Sequence, residues 1–196
     1  FPVRVQNAVR LVRTVEMYQW RENSRSETRD RMGGGRETVT TYSYERVWSS
    51  TLYDSSRFRQ SGHDNPRTMA QRSNTVTAPQ ATVGAFRLTP EQMQSYGRPV
   101  PAEVDPNNAE IQRHNATVQG STIYLNNPNS PRIGDLRVSF TYVPAGEVSM
   151  IGRQDGERIA PYQTRAGDRI FMMEAGRVPA RDMFRHAEEG NTIFTW

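Results

Sequence analysis

The segment Gly62-His63-Asp64-Asn65-Pro66 combines the side chains with the clearest potential for chemistry in this chain. An imidazole can bind a metal, act as a general base or change its charge near neutral pH, and Asp64 is placed to orient that of His63. The same residue types also build tight turns in which side chains bond to nearby backbone. Because one histidine with one neighbouring acid is an incomplete catalytic site, we interpret the segment as a structural turn at a binding surface.

The other motifs that perform chemistry are missing. His114 and His186 lie far from His63 in sequence, so no histidine pair has the spacing of metal ligands. The three glycines at 33–35 are not followed by the lysine of a phosphate-binding loop. No G-x-S-x-G nucleophile motif occurs. We therefore expect no catalytic residue, no metal and no cofactor.

An enzyme is the first alternative to a non-catalytic binding surface. A hydrolase that acts on envelope material would need a pocket in which His63 meets acids from distant segments, such as Asp54 or Asp105. The hypothesis therefore requires the fold to bring these three side chains together.

Aromatic side chains are concentrated on one predicted strand face. Residues with the same parity along a strand share a face, and the residues concerned are Tyr42, Tyr44 and Trp48, with Tyr18 and Trp20 opposite them. Such a stripe is either a stacking platform for sugars or bases or the half-buried face of a sheet. We favour the half-buried face, and we expect no nucleic-acid partner.

Every one of the 25 basic residues is arginine, against 21 acidic residues, which gives a net charge of +4. Arginine binds phosphate and carboxylate through two parallel hydrogen bonds, so an anion- or polysaccharide-binding module is the second alternative, with Arg46, Arg57 and Arg59 near the aromatic stripe. The charges are interspersed, however, and a GC-rich genome whose codons favour arginine explains the same composition.

The length of 196 residues suits one domain of roughly 150–200 residues. Only 35% of the residues are hydrophobic and the mean hydropathy is -0.80, which predicts a thin core with long polar loops. The absence of cysteine excludes disulfides and thiolate metal sites. No apolar run approaches the roughly 20 residues that cross a bilayer, so the chain is either soluble or a piece of a membrane protein.

Alternating apolar residues predict strands at 11–20 and 37–48, paired as a hairpin through an exposed connection at 21–36. Residues 49–72 read as irregular, and 75–88 as a strand interrupted by Pro79 and Gly84. Further strands are predicted at 111–118, 121–125, 135–143, 147–154, 157–163 and 168–174, with Asp155-Gly156 as a hairpin turn.

Two short helices are predicted, at about 90–96 and 179–189. Thr89, Pro90 and Gln92 form the capping pattern of the first, and Pro179 begins the second, which ends before Gly190. The predicted fold is therefore α+β and β-rich, with mainly antiparallel sheets. We treat residues 1–196 as a single domain with possible sub-units 1–97 and 110–196.

Several short segments of the chain, in their order and spacing, resemble those of the transmembrane protein 43 family, also called LUMA. The residues that support the resemblance are Arg13-Thr14-Val15-Glu16-Met17-Tyr18-Gln19-Trp20, Thr41-Tyr42-Ser43-Tyr44 with Trp48, Ser56 to Phe58, Gly62-His63 with Asn65-Pro66, Thr77-Ala78-Pro79, Val83-Gly84-Ala85-Phe86, Asn127-Pro128 with Pro131, Gly134-Asp135-Leu136-Arg137-Val138-Ser139-Phe140, Gly167-Asp168, Asn191 and Thr195-Trp196.

The resemblance implies a multi-pass membrane protein whose large domain corresponds to this chain. In animal relatives it implies a domain in the lumen of the endoplasmic reticulum or nuclear envelope, with emerin and lamins as partners. The lysine-free composition suggests a bacterial member with an extracytoplasmic or periplasmic domain, to which those partners do not transfer. A further segment that family members carry before the region matching residue 3 is absent here, which would leave a sheet edge open.

The resemblance identifies no catalytic residues to transfer. The leading hypothesis is a non-catalytic scaffold domain that binds protein partners or self-associates at the membrane. Its candidate binding residues are Tyr42, Tyr44, Trp48, Arg57, His63, Asp64 and Asn65. We expect alanine at Arg57 and His63 to weaken partner capture and leave folding intact.

Overall fold

The computed structural model describes Val3 and residues 5–188. Glu189, at the end of the second predicted helix, and the matching residues Asn191, Thr195 and Trp196 lie outside the described residues. The described chain is rich in strands, every strand pair is antiparallel, and three short α-helices accompany the sheets. The predicted β-rich α+β class is confirmed.

The first half of the chain contributes β1 (Ala8–Asp30), β2 (Arg36–Ser49), β3 (Asn74–Thr77), β4 (Thr82–Val83), β5 (Phe86–Arg87) and β6 (Val100–Pro101). The second half contributes β7 (Thr117–Gln119), β8 (Thr122–Tyr124), β9 (Leu136–Pro144), β10 (Val148–Ile151), β11 (Arg153–Asp155), β12 (Arg158–Ala160), β13 (Tyr162–Gln163), β14 (Arg169–Ile170) and β15 (Met172–Ala175). The helices are α1 (Pro90–Ser95), α2 (Ala109–Arg113) and α3 (Ala180–Glu188), and residues Ser55–Arg57 form a 3₁₀ turn.

The main sheet has the order β2-β1-β9-β8-β7, and β3 and β6 add to β1 and β9. Odd-numbered residues of β1 and even-numbered residues of β9 alternate onto one face, where they form the main core. Val15, Met17 and Phe140 are each at most 2% exposed there. The opposite face of the sheet carries the aromatic residues of β1 and β2.

The predicted hairpin forms, but its connection is not a loop. β1 continues to Asp30 and β2 starts at Arg36, so the turn occupies only residues 31–35. The outer part of the hairpin has polar residues on both faces, which hides the apolar alternation that identifies strands. Cross-strand pairs hold it instead, such as Ser26 with Thr40 at 2.9 Å and Arg31 with Glu37 at 3.0 Å.

The predicted strand at 111–118 is wrong in its first half, which is helix α2. Asn108 caps this helix, since its side chain accepts from the backbone N–H of Glu110, and Ile111 is the residue that it buries. The chain leaves the helix through Asn115, whose φ is +50°, and only then begins β7. The first predicted helix is present as α1, with the full capping box between Thr89 and Gln92.

The part of the chain that follows β9 builds a smaller layer on the main sheet. Strands β10 and β15 pair, and α3 buries Met183 and Ala187 against Met172. A further apolar cluster joins the two halves, since Phe171 and Met173 pack with Val9, Met93 and Val143. None of the helices in the described part of the chain is long and apolar enough to cross a bilayer.

Candidate functional site

The aromatic stripe lies on one face of the β1–β2 hairpin, as the sequence predicts. The register places Tyr18 opposite Trp48 and Glu22 opposite Tyr44. The rings of Tyr18 and Trp48 are 5.2 Å apart, and Trp48 also contacts Tyr124 of β8 at 5.9 Å. The first contact is tilted and the second is edge to face, as is usual for rings on a half-buried sheet face.

Residues 50–67, named here the wrap segment, cover the part of this face that carries Trp20, Glu22, Tyr42 and Tyr44. The ring of His63 stacks on Tyr44 with centroids 3.9 Å apart and an interplanar angle of 14°. On its other side it meets Trp20 edge to face at 4.7 Å. Its buried Nδ1 has no hydrogen-bond partner among the described residues. The structure therefore uses His63 as a packing element, and alanine at this position would remove ring contacts as well as any docking role.

Asn65 attaches the wrap segment to the edge of β1 just beyond the stretch of β1 that pairs with β9. The last β1–β9 pair is Met17 with Leu136, after which the N–H of Tyr18 donates to the carbonyl of Asp135 at 2.8 Å. Two residues on, Trp20 donates to Asn65 Oδ1 at 2.7 Å and accepts from Asn65 Nδ2 at 2.9 Å. The side-chain amide thus replaces a strand residue and closes this edge of β1.

Gln19 holds the beginning of the wrap segment on the opposite face of the sheet. Its side chain is fully buried, at 0% exposed. The amide donates to the carbonyl of Thr51 at 2.7 Å and to that of Ser49 at 3.3 Å, and accepts from the N–H of Tyr53 at 3.0 Å. The wrap segment therefore passes from one face, around the edge at Asn65, to the other.

Glu22 is the third attachment point. Its carboxylate accepts from the hydroxyl of Tyr44 at 2.5 Å and from the N–H of Arg59 at 2.6 Å. The bond from Tyr44 and then that from Arg59 lower the pKa of Glu22 below its ordinary value of 4.5. Burial raises the pKa of Tyr44, and its bond to Glu22 raises it further.

The lowered pKa of Glu22 predicts a loss of stability in acid. Because the folded carboxyl holds its proton less tightly than the unfolded one, its contribution is present above the ordinary pKa of 4.5 and disappears as pH falls below it. We expect the urea midpoint of the native protein to fall more steeply than that of Glu22→Gln between about pH 6 and about pH 3. Exposed Glu103→Gln is the control, and identical slopes for the native protein and Glu22→Gln would contradict the assignment.

Three arginines lie against rings of the stripe. Arg46 is 5.5 Å from Trp20, Arg59 is 5.7 Å from Tyr42, and Arg137 is 4.9 Å from Trp48. Arg137 also donates to Glu16 at 2.7 Å. Burial is the largest single influence on the pKa of Arg137 and acts to lower it, but the hydrogen bond and charge of Glu16, together with Tyr124, outweigh it, so the pKa is raised.

The residues that the enzyme hypothesis combines each have different neighbours in the structure. Asp54 accepts from Ser56 at the start of the 3₁₀ turn and lines an open polar groove with Asp64, Asn65 and Arg67. His63 is not among the lining residues of that groove, and Asp105 accepts from the N–H of Asn107 in the loop before α2. Within the described ranges no group of three or more histidine and acidic side chains is arranged to hold a metal ion.

Sequence reasoning identified His63 and Asn65 but missed Gln19 and Glu22. Gln19 occupies an inward position of β1, where the strand pattern predicts an apolar core residue. Glu22 follows the alternating stretch, where the pattern predicts a surface residue with no partner. A polar residue at the inward position of a strand is the available signal for Gln19, because a buried amide needs hydrogen-bond partners.

Comparison with known proteins gives a consistent result. The family model described as Transmembrane protein 43 matches residues 17–196. The chain is 35% identical over 206 residues to Transmembrane protein 43 of Mus musculus and 34% identical over 206 residues to that of Homo sapiens, covering 96% of this chain and 50% of each relative. A homolog from Drosophila melanogaster is 28% identical over 195 residues, covering 96% of this chain and 51% of the relative.

The chain thus spans about half the length of the curated relatives it matches. No solved structure matches it. The relatives named above are from animals and give no support to the bacterial source that the composition suggested.

Proposed function

The chain belongs to the transmembrane protein 43 family, and from this membership we propose that it is a non-catalytic interaction domain of a membrane scaffold. The proposal places the domain on the extracytoplasmic side, which is the lumen in animal relatives, and attaches it to the membrane through helices outside these 196 residues. Its partners are proteins at the membrane or further copies of the same protein. A bacterial source remains part of the proposal only through the lysine-free composition.

The observation that best supports an interaction domain is the β1–β2 hairpin. Its two strands are paired from Met17 with Ser49 to Asp30 with Arg36, which extends the hairpin far beyond β9 and the wrap segment. An isolated two-stranded hairpin is only marginally stable in water. A long hairpin fixed at its base by Gln19 and Asn65 is therefore suited to receive a partner along its length.

The wrap segment narrows the choice of docking residues, because several of its polar and aromatic groups are already used in packing. His63 is occupied by Tyr44 and Trp20, and Asn65 by the backbone of Trp20. Of the candidate binding residues, Arg57 on the 3₁₀ turn and Asp64 are exposed. Arg57→Ala is therefore the variant that tests docking at this turn without removing a ring contact.

Site-specific cross-linking in the cells of origin tests the proposal. A photoreactive residue at Thr38 on the hairpin or at Arg57 on the wrap segment is expected to give a discrete adduct. The matched position is Arg158, which is exposed on β12 away from the hairpin. Adducts of the same size and yield from all three positions, or none from Thr38 and Arg57, would overturn the proposed docking role.

A further inference from the structure

We propose that the outer edge of β2 binds an extended acidic segment of a partner protein as an added strand, with two carboxylates four residues apart directed at Arg46 and Arg59. The inference rests on the proposed docking function and specifies its mode and chemistry. Strand addition uses backbone hydrogen bonds for affinity and alternate side chains for specificity.

The direction of the backbone bonds on β1 determines which groups of β2 are free. Tyr18 and Trp20 direct their N–H and carbonyl groups toward Asp135, Gly134 and Asn65, away from β2. In an antiparallel sheet, successive residues bond to opposite sides, so the odd-numbered residues of β1 bond to β2. With odd residues of β1 opposite odd residues of β2, the groups that point outward belong to the even residues of β2, Thr38, Thr40, Tyr42, Tyr44 and Arg46.

The edge of β2 differs from that of β1 at the base of the hairpin. At Tyr18 and Trp20 the outer edge of β1 is closed by Asp135, Gly134 and Asn65. By contrast, β2 is the end strand of the sheet, and no strand of the described residues lies on its outer side. An open edge of 14 residues is a template for one more strand.

The charges on the hairpin are unevenly paired. The hairpin acids already have partners: Glu22 with Tyr44 and the N–H of Arg59, Glu27 with Arg25 and Arg29, Asp30 with Arg36, Glu37 with Arg31, and Glu45 with Arg21. Arg46 and Arg59 instead lie over the rings of Trp20 and Tyr42, and no carboxylate of the described chain is within ion-pair distance of either guanidinium. The charge of Arg59 contributes to the lowered pKa of Glu22, but neither Arg59 nor Arg46 makes an ion pair within the described chain. Because these two guanidiniums on the face of the hairpin are positive, the partner that complements them is acidic.

The spacing of the two arginines along β2 sets the spacing of the acidic residues in the partner. Arg46 belongs to β2, and Arg59 lies over Tyr42, four residues earlier on the same face. The positions of an added strand opposite 42 and 46 are likewise four residues apart, about 13 Å at the usual rise, and on one face. The position between them faces Tyr44, whose ring His63 already covers. The best segment therefore has acidic residues at i and i+4 with a small residue at i+2.

Two capped peptides of about ten residues, built from threonine, valine and two glutamates, test the inference against the 196-residue chain. One has glutamates at i and i+4, and the other has them at i and i+3, so that the second peptide has the same composition but puts one carboxylate on the wrong face. We expect the second peptide to bind about two- to fivefold more weakly, and Arg46→Gln or Arg59→Gln to reduce binding of the first by a similar factor each. Chemical-shift titration of the hairpin amides measures both.

Backbone pairing is tested separately with Thr40→Pro, which removes one outward N–H, and with Thr40→Ala as its control. We expect the proline variant to bind the first peptide more than about tenfold more weakly, because proline blocks edge pairing, and the alanine variant to bind normally. If Thr40→Pro disturbs the fold by circular dichroism, a peptide N-methylated at alternate residues replaces it and must lose binding.

Equal affinity for the two peptides, or binding that survives both the arginine and the proline substitutions, would overturn the inference in favour of non-specific charge attraction. Binding of heparin or of anionic lipid vesicles at the same residues, with no peptide binding, would also overturn it and identify a polyanion or membrane surface. These results are distinct from failure of the docking role, because cross-linking from Thr38 does not depend on an acidic partner.

Discussion

Replacing Gln19 by leucine is expected to lower the free energy of unfolding by about 3–5 kcal/mol. The amide is fully buried and makes three hydrogen bonds, to the carbonyls of Ser49 and Thr51 and from the N–H of Tyr53. Leucine has a similar volume, so the expected loss arises from backbone groups left without partners and not from a cavity. Urea unfolding of both proteins at neutral pH measures the difference.

The control for this substitution is Gln71→Leu at an exposed position, which we expect to change stability by less than about 0.5 kcal/mol. A change at Gln19 as small as that at Gln71 would show that the wrap segment is not held from this face. A reduced urea slope together with lower stability would indicate that residues 50–67 detach before the rest of the domain unfolds.

Asn65→Asp is expected to cost about 2–4 kcal/mol, because a near-isosteric change replaces a donor by a charge. Asn65 Nδ2 donates to the carbonyls of Trp20 at 2.9 Å and of Tyr53 at 3.3 Å. A carboxylate in the same place accepts only, so it faces both carbonyls without a proton between them. The loss of stability is read from urea unfolding, with Trp20 fluorescence as the local probe of the wrap segment.

The sign of the pH dependence gives this prediction a second check. A carboxyl group beside two carbonyls holds its proton more tightly when folded, so the penalty is expected to shrink as pH falls and the group becomes protonated. Exposed Asn129→Asp is the control and is expected to leave stability unchanged at neutral pH. A penalty at Asn65 that grows in acid would contradict the proposed contacts.

The pairing of the two hairpin strands and their aromatic face could be predicted from the sequence. Burial of one side governs the alternation of residues along 11–20 and 37–48. The true length of β1 could not be predicted in this way. Residues 21–30 have no apolar face, and their pairing is stabilised by Ser, Thr, Arg and Glu side chains of the opposite strand, as between Arg21 and Glu45 at 2.6 Å. Pairing of that kind leaves no periodic pattern in one strand read alone.

The sequence indicated part of the residues of the candidate site, such as His63 and Asn65, but not their arrangement. The turn residues of the wrap segment are recognisable, whereas their partners lie more than 30 positions away, as Trp20 does from Asn65 and Gln19 from Tyr53. Helix α2 was missed for a related reason, since it buries little besides Ile111 and its cap, Asn108, is as common in turns as at helix starts. Contacts between distant segments decide both features.

Amide hydrogen exchange along the hairpin measures whether the wrap segment closes the edge of β1 at Trp20 while the outer edge of β2 stays open. We expect an alternating pattern in the free protein, with slow exchange at Thr41, Ser43 and Glu45 and fast exchange at Thr40 and Tyr42, and slow exchange at Trp20. Addition of the i, i+4 peptide is expected to slow Thr40 and Tyr42 alone. Protection of Thr40 and Tyr42 in the free protein, or fast exchange at Trp20, would contradict the account.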